Sequence, residues 1–255
     1  MKIGIITAMP EEFNAVAHSL GSGTYTRLGT LRAGRFSCAG HEFLLVESGM
    51  GLDNAARGAE ALIRAGRPDL LISAGFCGGI EPELGAGDVV VAKKILITNE
   101  SGFEEIPVQL SGIGQAFVVR QGGAGERVAG GTFVTTTAIT SKKRLAEMLS
   151  GAYLNPVVEM ESAAIALIAA ENGIPLLAIR AVSDTASEEL EFTLNEFCDA
   201  DMRCIRPYKV LLTVVRKPRI IPQLVRLGFS SRKAAKSLTA LLLHVFSAIE
   251  RSSCR

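Results

Sequence analysis

Three short segments of this chain place carboxylates where they could do chemistry: AMPEEF (8–13), VVEMESAA (157–164) and IRAVSDTA (179–186). In each, acids gather at the end of an apolar run of strand length, which is where α/β sheets hold their ligands. Carboxylates pushed to opposite protonation states by their surroundings can run acid and base chemistry together. Each acid also has an ordinary explanation. Glu161 can be the acid of a helix N-terminus, Asp184 a helix cap, and Glu11 and Glu12 the acids of a first helical turn. The segments carry weight as a set, not singly.

Strand-length apolar runs alternating with helical patterns must position these acids. KIGIITA (2–8) predicts a buried strand, followed by a helix from Pro10 to about Leu20 that opens with proline and two acids. Runs at 24–39 and 42–48 predict strands. GMG (49–51) opens a helix, LDNAARGAEALIRAG, that stops at Gly66. LLISAGF (70–76) and GDVVVAKKILIT (87–98) predict strands, and the polar, glycine-rich residues 99–130 a variable excursion. VTTTAIT (134–140), a helix from Ser141, VVEM (157–160), a helix from Glu161 and LLAIRAV (176–182) complete the body. Such alternation predicts an α/β fold, a mixed or parallel sheet flanked by helices.

Composition excludes several functions. A chain of 255 residues can build one sizeable core. Five scattered cysteines, Cys38, Cys77, Cys198, Cys204 and Cys254, suit a reducing cytoplasm and no disulfide frame. His18, His41 and His244 lie far apart, so no metal is expected. The N-terminal MKIGIITAMPEEF reads as a first strand and not a signal peptide, and no apolar stretch approaches a membrane span of roughly 20 residues. Charge is unevenly distributed. Residues 201–255 hold twelve Lys/Arg and two acids, a tail of +10 against −9 elsewhere. The chain is therefore expected to divide into a catalytic domain, 1–200, and a basic helical extension, 201–255. YKVLLTVVR, KPRIIPQLVRL and SSRKAAKSLTALLLHVFSAIE predict separate helices punctuated by Pro218, Pro222 and Gly228, with Ser230 or Ser231 as an N-cap. Ala235, Leu238, Leu242, Val245 and Ile249 form a helical apolar stripe behind Arg232, Lys233 and Lys236. The stripe can pack on the body or on a dimer partner, or lie on an anionic membrane surface.

The chain resembles the purine nucleoside phosphorylase superfamily, and most of all its methylthioadenosine/S-adenosylhomocysteine nucleosidase branch. The resemblance is carried by IGIITAMPEE, SGMG (48–51), SAGFCGGIEPELGAGDVVV (73–91), VVEMESAAIA (157–166) and AIRAVSDTA (178–186), in that order and spacing. It covers about residues 1–200, weakly through 99–130, and not the basic tail. It implies an N-glycosyl hydrolase with no cofactor, acting on a small adenine nucleoside in a cytoplasmic homodimer. By the resemblance Asp184 protonates the departing base at N7, Glu161 holds the ribose 2′- and 3′-hydroxyls, and Met160 packs on the sugar. Glu12 and Arg180 prepare the attacking water. Met9, Met50, Phe76, Ile139 and Ser183 complete the implied substrate-binding set.

Hydrolysis is preferred to phosphorolysis because the superfamily's phosphorylases carry an arginine for phosphate after the first strand, where this chain reads AMPEEF. Two departures stand out. Phe76-Cys77 occupies the place of a serine in the nucleosidase loop, and residues 99–130 lack the His-Asp-rich stretch that helps form the 5′ pocket and dimer. Rival readings keep the fold: a nucleosidase or phosphorylase for a lipid-linked adenosine, as in hopanoid-associated members acting on adenosylhopane; a phosphate-dependent phosphorylase; or an inactive nucleoside-binding or membrane-docked protein. The loop SGMGLDNA resembles a dinucleotide turn, but Asp69 falls at the start of the next strand and not its end, so no nicotinamide cofactor is expected. The tail has few aromatics, and nucleic acid is not expected as a partner.

Overall fold

The computed structural model describes residues 1–38, 40–100, 102–115, 127–189, 196–198 and 207–253. The N-terminal half follows the apolar pattern closely. Strand β1 (Lys2–Thr7) leads into α1 (Pro10–Leu20), then β2 (Gly23–Leu28), β3 (Leu31–Cys38) and β4 (His41–Glu47). Helix α2 (Leu52–Gly66) and the wholly buried β5 (Leu70–Gly79) follow. Next come β6 (Val89–Asn99), β7 (Gly102–Glu105), the single turn α3 (Gly112–Gln115) and β8 (Val128–Thr135). Helix α4 (Lys142–Leu149), β9 (Val157–Glu159), α5 (Ser162–Glu171) and β10 (Leu176–Asp184) complete the body. The C-terminal region is α6 (Pro207–Arg216), a 3-10 turn (Pro218–Ile220) and α7 (Ile221–Ser253).

The ten strands form one mixed sheet in the order β10-β6-β8-β9-β5-β1-β4-β3-β2, with β7 added on β6. Strand β10 also pairs with β5, so five strands close into a ring. Strands β4, β1, β5 and β10 run parallel, which brings their carboxyl ends to one edge. Arg180 pairs with Gly75 and Asp184 with Gly78 in the β10–β5 register. That register places the glycine loop of β5 beside the last residues of β10.

Three expectations need correction. The strand placed at 134–140 runs from Val128 to Thr135, and Thr136–Thr140 is a loop whose threonine hydroxyls donate to the Ala138 carbonyl. Such local bonds compete with a ladder. The excursion at 99–130 contains β7 and α3 and opens β8, while 116–126 lies outside the described residues. The C-terminal segments expected as separate helices beyond Pro218 are one helix of 33 residues. Pro222 falls in its first turn, where no N–H is needed, and Gly228 and the expected caps Ser230 and Ser231 lie inside it.

The stripe on α7 packs on the body. Leu238, Leu242, Val245 and Ile249 belong to the same core cluster as Ile5, Ile72 and Ile179. Phe246 meets Phe43 edge to face at 4.9 Å between ring centres, a geometry that aromatic pairs favour. Among the described residues no helix is long and apolar enough to cross a membrane.

Candidate active site

Helix α1 starts where β1 ends, and this turn buries Glu12 while leaving Glu11 exposed. One Glu12 oxygen accepts from the N–H groups of Ala8 (2.8 Å) and Met9 (3.0 Å), and the other from the N–H of Phe76 (2.7 Å). A Cβ at Gly75 would lie 2.7 Å from Glu12 Oε1, so glycine is needed for β5 to pass this close. Burial raises the Glu12 pKa, against the opposing pull of Arg180 and the three backbone donors.

Glu161 precedes α5 and is also buried. Its Oε1 accepts from the Gly51 N–H at 2.9 Å. The glycine loop that resembled a dinucleotide turn thus holds a carboxylate. Asp69, the would-be ribose acid of that reading, accepts from the Lys2 N–H instead. Burial, helped by the nearby charges of Glu159 and Glu12, pushes the Glu161 pKa up to about 7 despite Arg180 and the Gly51 bond.

Arg180 ties the group together. Its Nη2 donates to Glu159 Oε2 at 2.8 Å and to Ser162 Oγ at 2.9 Å, and its Nε has no partner among the described residues. Burial opposes the guanidinium charge, but Glu159, Glu161 and Glu12 outweigh it and raise the Arg180 pKa. Glu12, Glu161 and Arg180 surround one narrow space with Ser48 and Ser73, too tight to admit a water molecule. Glu159, which the sequence reading passed over, accepts from Thr135 Oγ1 (2.5 Å) and from the N–H groups of Glu161 and Ser162. Its bonds fix both Arg180 and the turn that carries Glu161.

Asp184 sits at the end of β10 and lines a neighbouring cleft of about 260 Å³ with Glu188, Arg219, Pro222 and Arg226. The larger cleft of about 370 Å³, between Lys2, Arg35, Glu42 and Pro68, holds none of these residues. Ser183 Oγ lies 2.7 Å from Asp184 Oδ1 and 3.1 Å from the Cys77 carbonyl oxygen, so its one proton serves either. Asp184 Oδ2 forms an ion pair with the buried Lys142. Lys142 Nζ also donates to the carbonyls of Thr185 (2.7 Å) and Glu188 (2.8 Å). A Cβ at Gly78 would stand 2.9 Å from both Asp184 Oδ2 and Lys142 Cε. The sequence reading missed Lys142, which follows the N-cap Ser141 in a run that looks solvated.

The apolar candidates separate. Met9, Met50 and Ile139 gather in one cluster with Ile220 and Leu224. Met160 is half-buried beside Glu161. The Phe76 side chain packs into the main core, and it is the Phe76 N–H that reaches Glu12. Cys77 is buried and its thiol pKa is pushed well above the ordinary value, first by burial. It is therefore a neutral thiol and no nucleophile.

The Glu161 pKa has a measurable consequence. On the role that the resemblance implies, in which ribose hydroxyls donate to Glu161 as a carboxylate, protonation below a pH of about 7 weakens that contact. kcat/KM, which reports the free enzyme, should fall about tenfold per pH unit below that point. Glu161→Gln should remove the limb and weaken ribose binding. A profile flat from neutral to acid pH, or a limb that survives in Glu161→Gln, would contradict the assignment.

Residues 2–215 match the family model of the phosphorylase superfamily. A methylthioadenosine/S-adenosylhomocysteine nucleosidase of Exiguobacterium is 29% identical, covering 85% of this chain and 98% of its own. That of Listeria innocua is also 29% identical, over 77% and 92%. In solved structures the fold is shared with the Neisseria meningitidis nucleosidase bound to methylthio-immucillin-A (TM-score 0.73, 22% identity, 96% of this chain and 97% of that one). It is shared too with futalosine hydrolase of Helicobacter pylori (TM-score 0.69, 18% identity, 95% and 97%).

Proposed function

The chain belongs to the phosphorylase superfamily, and on that footing we propose that it hydrolyses the N-glycosidic bond of an adenine nucleoside and releases adenine. The observation that carries this reading is the convergence of buried Glu12, Glu161 and Arg180 at the carboxyl ends of β1, β5 and β10, with Asp184 at the end of the last of these strands. The named activity of the Exiguobacterium and Listeria relatives supports it.

Glycosidic cleavage leaves positive charge on the sugar and negative charge on the base. Glu161, as carboxylate, holds the ribose hydroxyls and favours the positive sugar. Asp184 delivers a proton to N7 of the departing adenine. Ser183 and Lys142 hold its two oxygens in place, and its proton comes from solvent before the base departs. Glu12 takes a proton from the attacking water, and its raised pKa brings it closer to the range where a general base works well. Met9, Met50 and Ile139 suit an apolar 5′ substituent such as methylthio.

Hydrolysis is favoured over phosphorolysis by what surrounds Glu12. The N–H groups of Ala8 and Met9, which follow the first strand, are taken by its carboxylate, and no arginine stands in that turn. Adenine release from methylthioadenosine should therefore be equally fast with and without phosphate. In oxygen-labelled water the label should appear on the ribose. Ribose 1-phosphate as the main product would overturn this reading.

A further inference from the structure

Helix α6 is apolar on two sides. Val210 and Val214 turn inward to the cluster that holds Met9, Met50 and Ile139. Tyr208, Leu211, Leu212 and Val215, at spacings of three and four residues, form a second face that looks out to solvent. Leu211 is 65% and Val215 71% exposed. The start of α7 repeats the arrangement. Leu224 and Leu227 pack inward, while Ile221, Val225 and Phe229, each four residues on, point outward, Phe229 at 65% exposure. A helix apolar on its outer side as well as its inner one has an unmatched surface.

The charge around these faces is one-sided. Residues 207–236 contain eight Lys/Arg and no acid. Lys217 pairs with Glu196 and Arg226 with Glu188 on the body. Arg216, Arg219, Arg232 and Lys236 are exposed and make no ion pair among the described residues. Arg232 lies 6.0 Å from the Phe229 ring. Exposed aliphatic and aromatic side chains amid unpaired cations match an anionic bilayer interface in both respects. A second copy fits poorly, because a two-fold interface would set the same cations against each other. The position also fits. Arg219, Pro222, Gln223, Arg226 and Leu227 line the cleft that Asp184 shares.

We propose that the outer faces of α6 and of the first turns of α7 dock the protein on an anionic lipid surface, with the cleft of Asp184 opening beside it. This moves the membrane contact away from the later stripe of α7, which is occupied by the core. The proposal rests on the nucleosidase reading only for its use: a nucleoside with a lipid-soluble 5′ group would meet the site where its tail is solvated. Docking itself can be measured without turnover.

The test uses the full chain with vesicles of phosphatidylcholine and phosphatidylglycerol in equal amounts, or of phosphatidylcholine alone. The chain should sediment with the anionic vesicles at low salt, and high salt should release it. The triple variant Leu211→Asp, Val215→Asp, Phe229→Asp should lose about a hundredfold in partitioning. Its thermal unfolding and its cleavage of soluble methylthioadenosine should match the wild type. No sedimentation of the wild type, unchanged sedimentation of the variant, or preferential binding to nucleic acid would overturn the proposal. So would a wild-type dimer that becomes monomeric in the triple variant without lipid. Adenine release in lipid-free buffer reports separately on the nucleosidase reading, so the two fail independently.

Discussion

Asp184→Asn is expected to lose about 10²- to 10⁴-fold in kcat while substrate affinity stays near wild type. The amide has the volume of the acid and its oxygen can still accept from Ser183 Oγ. What it cannot do is give up a proton to the base. The fold should survive with some loss of stability, because Lys142 loses its buried ionic partner but keeps its bonds to the carbonyls of Thr185 and Glu188. Single-turnover measurements on methylthioadenosine, with binding followed by equilibrium dialysis, separate the two effects. Wild-type turnover in Asp184→Asn would remove this residue from the acid role.

Arg180→Met is expected to destabilise the protein by about 3–5 kcal/mol, the usual result of leaving one partner of a buried pair alone. Here the guanidinium faces three buried carboxylates, Glu159, Glu161 and Glu12. Its attraction lowers the pKa of both Glu12 and Glu161 against burial, so both should rise further without it. A carboxyl whose folded pKa exceeds its ordinary value near 4.5 weakens the fold as pH rises through that folded pKa. The loss in Arg180→Met should therefore be greater at mildly alkaline than at acid pH. Urea unfolding at two pH values measures it, and an equal loss at both would refute the account. Adding Glu159→Gln should restore part of the stability, because it withdraws one stranded charge.

The acids that face the cavity were legible because strand and helix patterns locate the ends of β1, β9 and β10. Pattern alone could not separate Glu11 from Glu12. One is solvated and the other buried because the turn after β1 folds back on the Phe76 N–H, a contact 64 residues away in sequence. Glu159 escaped notice for a related reason. It closes a strand of only three residues, too short for its pattern to show which face is buried. In the structure Glu161 lies past the strand end, so both turn inward. Lys142 lies in a Lys-Lys-Arg run that resembles any solvated first turn, and only the loop from Thr185 to Glu188 buries it. Strand β8 was misplaced because Gly130 and Gly131 look like loop residues, although they are buried between β6 and Asn155. The length of α7 was hidden by proline and glycine, whose breaking power depends on where in the helix they fall.

Helix α7 is about 50 Å long at the standard rise, and its two ends answer to different parts of the molecule. Pro222, Gln223 and Arg226 form the lip of the Asp184 cleft, whereas Val245, Phe246 and Ile249 are sunk in the core. Its far arm is clamped by the main core, and Leu224 and Leu227 anchor its near arm on the cluster of Met50 and Ile220. A rigid tilt of the whole helix would have to drag Phe246 off Phe43, so Gly228, between the two arms, is where a bend costs least. A side chain there would meet nothing within 4 Å, and glycine softens a helix that alanine would stiffen. A bend that moved the lip would fall at this residue and leave the clamped arm in place.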